Sequence, residues 1–96
     1  MSIPREKIQM HRLPTTPGEM LLQEFMLPQE MSARALARDL GVPPNRITAI
    51  VNGKRAMTAE TALLLEKRLG MPGEFWMNLQ SSYDLAVARQ QNPEAA

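Results

Sequence analysis

The chain has 96 residues, enough for one compact domain and too few for two. It contains 11 basic and 10 acidic residues and no cysteine, so a disulfide framework and a thiolate metal site are excluded. Its apolar runs are too short to cross a bilayer, and its amino terminus lacks the pattern of a signal peptide, which predicts a cytoplasmic protein with no membrane partner.

The pattern of the chain predicts an all-α protein with five helices and no strand. Residues 1–15 are polar, are interrupted by Pro4 and Pro14 and show no sustained periodicity, so we expect a flexible amino-terminal arm. Residues 16–90 form the predicted folded domain, and residues 91–96 are expected to fray.

The first predicted helix begins with residues that are typical of a helix start. Thr16 can cap it, Pro17 takes the first helical position, and Glu19 completes a capping box. The helix is predicted to end at Pro28, because proline cannot continue the helical hydrogen bonds.

Two short helices are predicted next, joined by a tight turn. Ser32 caps the second helix, and Gly41 supplies the left-handed residue that ends it. The third helix opens at Pro43-Pro44 and ends at Asn52-Gly53.

The fourth and fifth predicted helices are separated by a glycine and a proline. The fourth runs from its cap at Thr58 to Leu69, and the fifth begins near Pro72. Trp76 and Tyr83 belong to an apolar stripe on the fifth helix that has to be covered. For Trp76 we expect the cover to come from other helices of the same monomer.

The segment from Ser32 to Arg55 carries five basic residues and one acid, a net charge of +4, whereas the remaining residues include six basic and nine acidic ones. A compact positive segment on a mildly acidic body is typical of a phosphate-binding surface. Charge alone fits a solvated helix face equally well.

The spacing of small and apolar residues in this segment predicts a helix-turn-helix. Ala37 allows two helices to approach closely, and Gly41 follows four residues later, where the chain turns. Ile47 and Ile50 follow at the spacing that locks the second helix of the pair onto the first.

The outward face of the third helix is polar, and no acid occurs from Pro44 to Met57. Such a face suits a helix in the major groove, where Asn and Arg read base edges and a small residue meets a thymine methyl. The alternative is an ordinary solvent-exposed face. The predicted base-reading residues are Pro44, Asn45, Arg46, Thr48 and Ala49.

A second group of residues is predicted to contact phosphates. Gly53 turns the chain into a loop with two cations, which can hold phosphates through backbone amides and through charge. Arg34 lies early in the second helix, where that helix would cross the sugar–phosphate backbone. The predicted phosphate-binding residues are Arg34, Asn52, Lys54 and Arg55.

The run Leu36-Ala37, Leu40-Gly41-Val42, Arg46-Ile47 and Ile50 to Arg55 resembles the Cro/C1-type (XRE-like) helix-turn-helix of phage repressors, which implies a five-helix lambda-repressor-like DNA-binding domain. Pro17-Gly18-Glu19-Met20-Leu21 and the run from Phe75 to Leu85 are similar to the HigA family of antitoxins. The resemblance covers about residues 17–88. At Pro44-Asn45-Arg46 such families vary, so the resemblance implies no operator sequence.

The HigA resemblance implies a type II antitoxin that neutralises a HigB toxin, a RelE-like mRNA endoribonuclease. It also implies a homodimer that binds a palindromic operator in double-stranded DNA and represses its own operon. The predicted dimer surface is the carboxyl-terminal part of the fifth helix, with Tyr83, Leu85 and Val87.

Two other readings of the sequence remain open. The chain can be a stand-alone repressor without a toxin partner, or a helical interaction module that has lost DNA binding. An enzyme has little support because His11 is the single histidine, and we expect no cofactor and no metal.

Overall fold

The computed structural model describes residues 13–92, and within this range the chain forms five helices and no strand. The predicted all-α fold is therefore confirmed for this range. The first helix, α1, is an α-helical turn, Pro17–Met20, that continues as a π-helical segment, Leu21–Met26. The other helices are α2 (Ala33–Leu40), α3 (Pro44–Val51), α4 (Ala59–Leu69) and α5 (Gly73–Gln91).

The predicted terminal segments fall mostly outside the described residues. Of the arm only residues 13–15 are described, and they are not helical. Of the tail only residues 91 and 92 are described, and Gln91 still belongs to α5. Between residues 13 and 92, no helix is both long and apolar enough to span a membrane.

The predicted helix caps are present. The Thr16 hydroxyl accepts a hydrogen bond from the Glu19 amide at 3.0 Å, and the Glu19 carboxylate accepts one from the Thr16 amide at 3.0 Å. The hydroxyls of Ser32 and Thr58 cap α2 and α4. Such caps each contribute about 1 kcal/mol, and together they fix where these helices begin.

The π-helical half of α1 was not predicted. The Leu27 amide donates to the Leu22 carbonyl at 2.9 Å, and the Met31 amide donates to the Met26 carbonyl at 2.8 Å, both five residues back. The wider turns bring Leu21 and Met26 into the core together. At about 100° per residue, an α-helix would have placed two residues five apart on different faces.

Trp76 of α5 is fully buried and connects the first and last helices. Its ring centroid lies 5.4 Å from that of Phe25 in α1 and 5.0 Å from that of Phe75. The expectation that the monomer itself covers Trp76 is confirmed. The buried apolar core consists of Leu21, Met26, Leu36, Ala37, Leu40, Ile47, Ile50, Met57, Ala62, Leu65 and Trp76.

Two polar contacts hold α4 against its neighbours. The Glu66 carboxylate accepts a hydrogen bond from the Gly73 amide at 2.7 Å, so α4 caps the start of α5. Arg68 Nε donates to Asp39 Oδ2 at 2.9 Å and joins α4 to α2. Asp39 is the one acid of the basic segment from Ser32 to Arg55. Its charge is thus paired with a cation from outside that segment.

Candidate nucleic-acid interface

The turn between α2 and α3 has the geometry that its sequence predicts. Gly41 has a φ of 76°, which an L-residue rarely adopts, and the Val42 amide donates to the Ala37 carbonyl at 3.0 Å. Ala37 is fully buried, so its small side chain lets the two helices pack closely. This turn fixes the direction in which α3 leaves α2.

Two isoleucines anchor α3 to the body of the protein. Ile47 and Ile50 are both buried in the core. Asn45 and Thr48 are exposed on the helix, and the Thr48 hydroxyl donates to the Asn45 carbonyl at 3.2 Å. Pro44 is exposed at the start of the helix and Ala49 is half-buried. The structure therefore brings four of the five predicted base-reading residues to an accessible face.

Arg46 departs from the predicted placement. Its side chain is only 21% exposed, and its Nε atom is buried without a hydrogen-bond partner in the protein. One terminal nitrogen lies 3.8 Å from a carboxylate oxygen of Glu60 in the first turn of α4. No acid occurs from Pro44 to Met57 in the sequence, but Glu60 approaches Arg46 from another helix.

The four predicted phosphate-binding residues are all exposed. Arg34 is the second residue of α2, and Asn52 follows the end of α3. Lys54 and Arg55 lie in the loop between α3 and α4, after Gly53, which has a φ of 76°. Among the salt bridges within residues 13–92, none involves these three cations.

The backbone of this loop corrects one part of the phosphate prediction. The amides of Lys54 and Arg55 both donate to the Ala49 carbonyl, at 2.8 and 3.2 Å, and the Gly53 amide donates to the Ile50 carbonyl at 3.1 Å. These amides close the end of α3 and are not available to a phosphate. At Lys54 and Arg55, the side chains are therefore the groups that can contact a phosphate.

The geometry agrees with what comparisons with known proteins show. The family model for the helix-turn-helix matches residues 22–76, more than half of the chain. Virulence-associated protein I of Dichelobacter nodosus is 44% identical over 90 residues, which cover 94% of this chain and 82% of the relative. Antitoxin HigA-1 of Vibrio cholerae is 39% identical over 85 residues, which cover 88% of this chain and 80% of the relative.

The chain belongs to the helix-turn-helix family that includes the HigA antitoxins. Among solved structures it is similar to the Pseudomonas aeruginosa antitoxin HigA with the higBA promoter. That match has a TM-score of 0.82 and 39% identity, and it covers 85% of this chain and 89% of the other. The resemblance to HigA antitoxins read from the sequence is confirmed.

The carboxyl-terminal run that resembles HigA antitoxins, from Phe75 to Leu85, lies on α5. Leu85 is 51% exposed there, whereas Tyr83 and Val87 are half-buried. Of the three residues predicted for a dimer surface, Leu85 is therefore the most accessible to a second copy of the chain.

Sequence reasoning missed three residues that shape this interface. Gly18 packs against the end of α3, Glu60 approaches Arg46, and Gln80 accepts a hydrogen bond from the Met57 amide at 2.7 Å. Each acts on a residue far away in the sequence. No local spacing signal reports such contacts, so only the fold could reveal them.

Proposed function

We propose that this protein is the antitoxin of a type II toxin–antitoxin system and represses its own operon by binding duplex DNA. One observation carries the proposal: α3 is anchored by Ile47 and Ile50 and turns its exposed Asn45 and Thr48 outward. Exposed cations are also present on α2 (Arg34) and in the loop after α3 (Lys54 and Arg55). The HigA antitoxin of P. aeruginosa, whose structure includes its promoter, supports the same use of the fold here.

The residues divide by the chemistry that each can offer to DNA. The Asn45 amide can donate and accept at once, which suits the paired groups on the major-groove edge of adenine. Thr48 can bond to either kind of base, and Ala49 can meet a thymine methyl. Arg46 reads bases only when its guanidinium turns away from Glu60.

The side chains of Arg34, Asn52, Lys54 and Arg55 are proposed to contact phosphates. Such contacts set affinity and register on the duplex but carry no sequence information directly. Because the amides of Gly53, Lys54 and Arg55 are engaged within the protein, charge supplies most of this interaction. The affinity should therefore depend steeply on salt.

One helix of eight residues reads only a few base pairs, so a palindromic operator requires two copies of the chain. We propose a homodimer through the end of α5, with Leu85 at its centre and Tyr83 and Val87 beside it. A two-fold dimer would place two α3 helices about 34 Å apart, one turn of DNA.

The proposed toxin partner is of the HigB type, an mRNA endoribonuclease. The support is the similarity to a relative named antitoxin HigA-1. The competing proposal is a stand-alone repressor, since relatives described only as transcriptional regulators of the helix-turn-helix type are 40% identical to this chain.

DNA binding is tested by fluorescence anisotropy with the duplex upstream of the chain's own reading frame and with a scrambled duplex of the same composition. We expect tighter binding to the upstream duplex. Asn45→Ala should cost about 1–3 kcal/mol on that duplex and little on the scrambled one. Asn78→Ala, an exposed site on α5, is the matched control and should change neither. Equal binding of the two duplexes by the wild-type protein would overturn sequence-specific repression.

The antitoxin function is tested by expressing the small reading frame next to this one, alone and together with this chain. We expect that the neighbour alone stops growth, that co-expression restores it, and that the two proteins co-purify. Growth arrest that this chain does not relieve, or a harmless neighbour, would favour the stand-alone repressor.

A further inference from the structure

The loop between α3 and α4 is held at two points. Its first half is tied to α3, because the amides of Lys54 and Arg55 donate to the Ala49 carbonyl. Its second half is tied to α5, because the Met57 amide donates to Gln80 Oε1 at 2.7 Å. Within residues 13–92, this is the one side-chain hydrogen bond between the loop and α5. The cations of the loop thus lie between two fixed ends.

A second hydrogen bond determines how the Gln80 amide is oriented. Gln80 Nε2 donates to Asp84 Oδ1 at 2.9 Å, one helical turn further along α5. A carboxylate can only accept, so Asp84 holds the nitrogen on its own side and leaves the oxygen facing Met57. If the amide turned over, its nitrogen would face the Met57 amide and two donors would meet. Asp84 therefore selects the orientation that the loop requires.

The hydrogen bond between the Met57 amide and Gln80 lies beside an unfilled cavity. A cavity of about 210 Å³ lies between the loop and α5 and is lined by Lys54, Arg55, Gln80, Tyr83 and Asp84, among others. The Met57 side chain is buried in the core, but side chains do not fill the space beside Lys54 and Arg55, so core packing does not reach these two residues. Gln80 lines this cavity, and its hydrogen bond from the Met57 amide joins the loop to α5 there.

We propose that Gln80 is a positioning residue for DNA binding. It holds the loop between α3 and α4 in the position from which the side chains of Lys54 and Arg55 reach phosphates. Asp84 is its orienting partner. The inference rests on the proposed DNA binding and adds residues that do not themselves contact DNA. Asp84 lies between Tyr83 and Leu85 in the sequence, so the same bridge connects the loop with the proposed dimer surface.

The first test removes the acceptor with little change in size. Gln80→Met keeps the length of the side chain, and Gln90→Met, at an exposed position on the same helix, is the matched control. Affinity for a random-sequence duplex is measured over a series of salt concentrations. For Gln80→Met we expect the slope of log affinity against log salt to fall by about one unit, as when one phosphate contact is lost. The control should keep the wild-type slope.

A rescue variant separates positioning from general stability. In Gln80→Glu/Asp84→Asn the introduced carboxylate accepts from the Met57 amide and from the amide introduced at position 84, so both hydrogen bonds are rebuilt with the donor moved. The net charge equals that of the wild-type protein, so the salt slope is not altered by charge. We expect this double variant to show the wild-type salt slope. Gln80→Glu alone should show a reduced slope, because the new carboxylate then faces the Asp84 carboxylate.

A double variant tests whether Gln80 acts through the loop. Lys54→Ala should weaken binding less in the Gln80→Met background than in the wild type, because the misplaced lysine contributes little there. Wild-type slopes for Gln80→Met, or a rescue variant that folds but keeps a reduced slope, would overturn the inference even if thermal stability falls. Failure of the wild-type protein to bind any duplex would instead overturn the proposed function.

Discussion

Gly18 of α1 packs against the backbone of Ile50 in α3 and leaves no room for a side chain. A β-carbon at position 18 would lie 2.7 Å from the carbonyl carbon of Ile50 and 2.9 Å from the α-carbon of Val51. Carbon atoms that are not bonded approach only to about 3.5 Å without repulsion. This contact sets the position of the end of α3, and with it the direction of the exposed face of that helix.

Gly18→Ala is therefore expected to destabilise the protein. Helix propensity alone predicts a gain of about 1 kcal/mol, but overpacking against backbone atoms should cost about 1–3 kcal/mol, which leaves a net loss of up to about 2 kcal/mol. Urea denaturation measures the difference. Gly73→Ala is the matched control, because there the added carbon would meet only side-chain atoms, at 3.3 Å or more, and should cost less. A Gly18→Ala protein as stable as the wild type would contradict the close approach.

The role of Gly18 could not be predicted from the sequence, whereas the helix starts could. The starts of α1 and α2 were predictable because Thr16 and Ser32 act on amides three residues away, and the sequence displays both partners. The partner of Gly18 lies 32 positions further on, and nothing near Gly18 indicates it. What can be predicted is the local hydrogen bonding, and what cannot is the docking of one helix on another.

The candidate site divides in the same way. The exposure of Asn45 and Thr48 follows from the helical period that buries Ile47 and Ile50, so it was predictable. The placement of Arg46 was not, because it depends on Glu60 in a different helix. The π-helical half of α1 was missed for a related reason, since its hydrogen bonds reflect the packing of the helix rather than a local residue preference.

Glu30 is a site where a single change should stabilise the protein. It has a φ of 52°, the one positive φ of a non-glycine residue within residues 13–92, and it is exposed. An L-residue in this conformation costs about 1 kcal/mol relative to glycine, so Glu30→Gly should raise the free energy of unfolding by up to about 1 kcal/mol. Gln29→Gly, at the preceding exposed position, serves as control and should not stabilise. Loss of stability in Glu30→Gly would show that the carboxylate contributes more than the strain costs.

Lys54→Ala tests the phosphate role of the loop directly. Lys54 is exposed, and its backbone amide is already engaged, so only its charge is lost. Binding should weaken alike on every DNA sequence, and the salt slope should fall by about one unit. Lys67→Ala removes the same charge from the exposed last turn of α4, outside the basic segment, and should leave the slope unchanged. Equal slopes for Lys54→Ala and the wild type would remove Lys54 from the interface.

Two exposed leucines allow a matched test of the dimer surface. Leu85 on α5 is 51% exposed and Leu63 on α4 is 60% exposed. Leu85→Asp should convert the proposed dimer to a monomer, because a desolvated charge in an apolar contact is strongly unfavourable, and Leu63→Asp should not. Sedimentation velocity over a range of protein concentrations measures the oligomeric state. A dimer that survives Leu85→Asp and dissociates with Leu63→Asp would move the interface to α4.

Arg46→Ala tests whether a partly buried arginine still reads bases. If the guanidinium leaves Glu60 and reaches a base edge, the substitution should cost about 1–3 kcal/mol on the preferred operator and little on random DNA. A uniform loss on both duplexes would show instead that Arg46 supports the position of α3 and does not read sequence. The affinity ratio between the two duplexes decides between these roles.

Glu60→Gln tests the ion pair from the other side. Arg46 and Glu60 are 3.8 Å apart and Glu60 is exposed, so the ion pair contributes at most about 1 kcal/mol. If Arg46 has to leave Glu60 to bind DNA, removing the pair should raise the affinity by a factor of at most about five. If Arg46 reads bases, Glu60→Gln should strengthen operator binding more than random binding, because the guanidinium no longer has to leave a carboxylate. In the Arg46→Ala background that extra gain should vanish, and only the smaller, sequence-independent effect of removing a negative charge should remain. The same gain in both backgrounds would mean that Glu60 repels phosphates and does not act through Arg46.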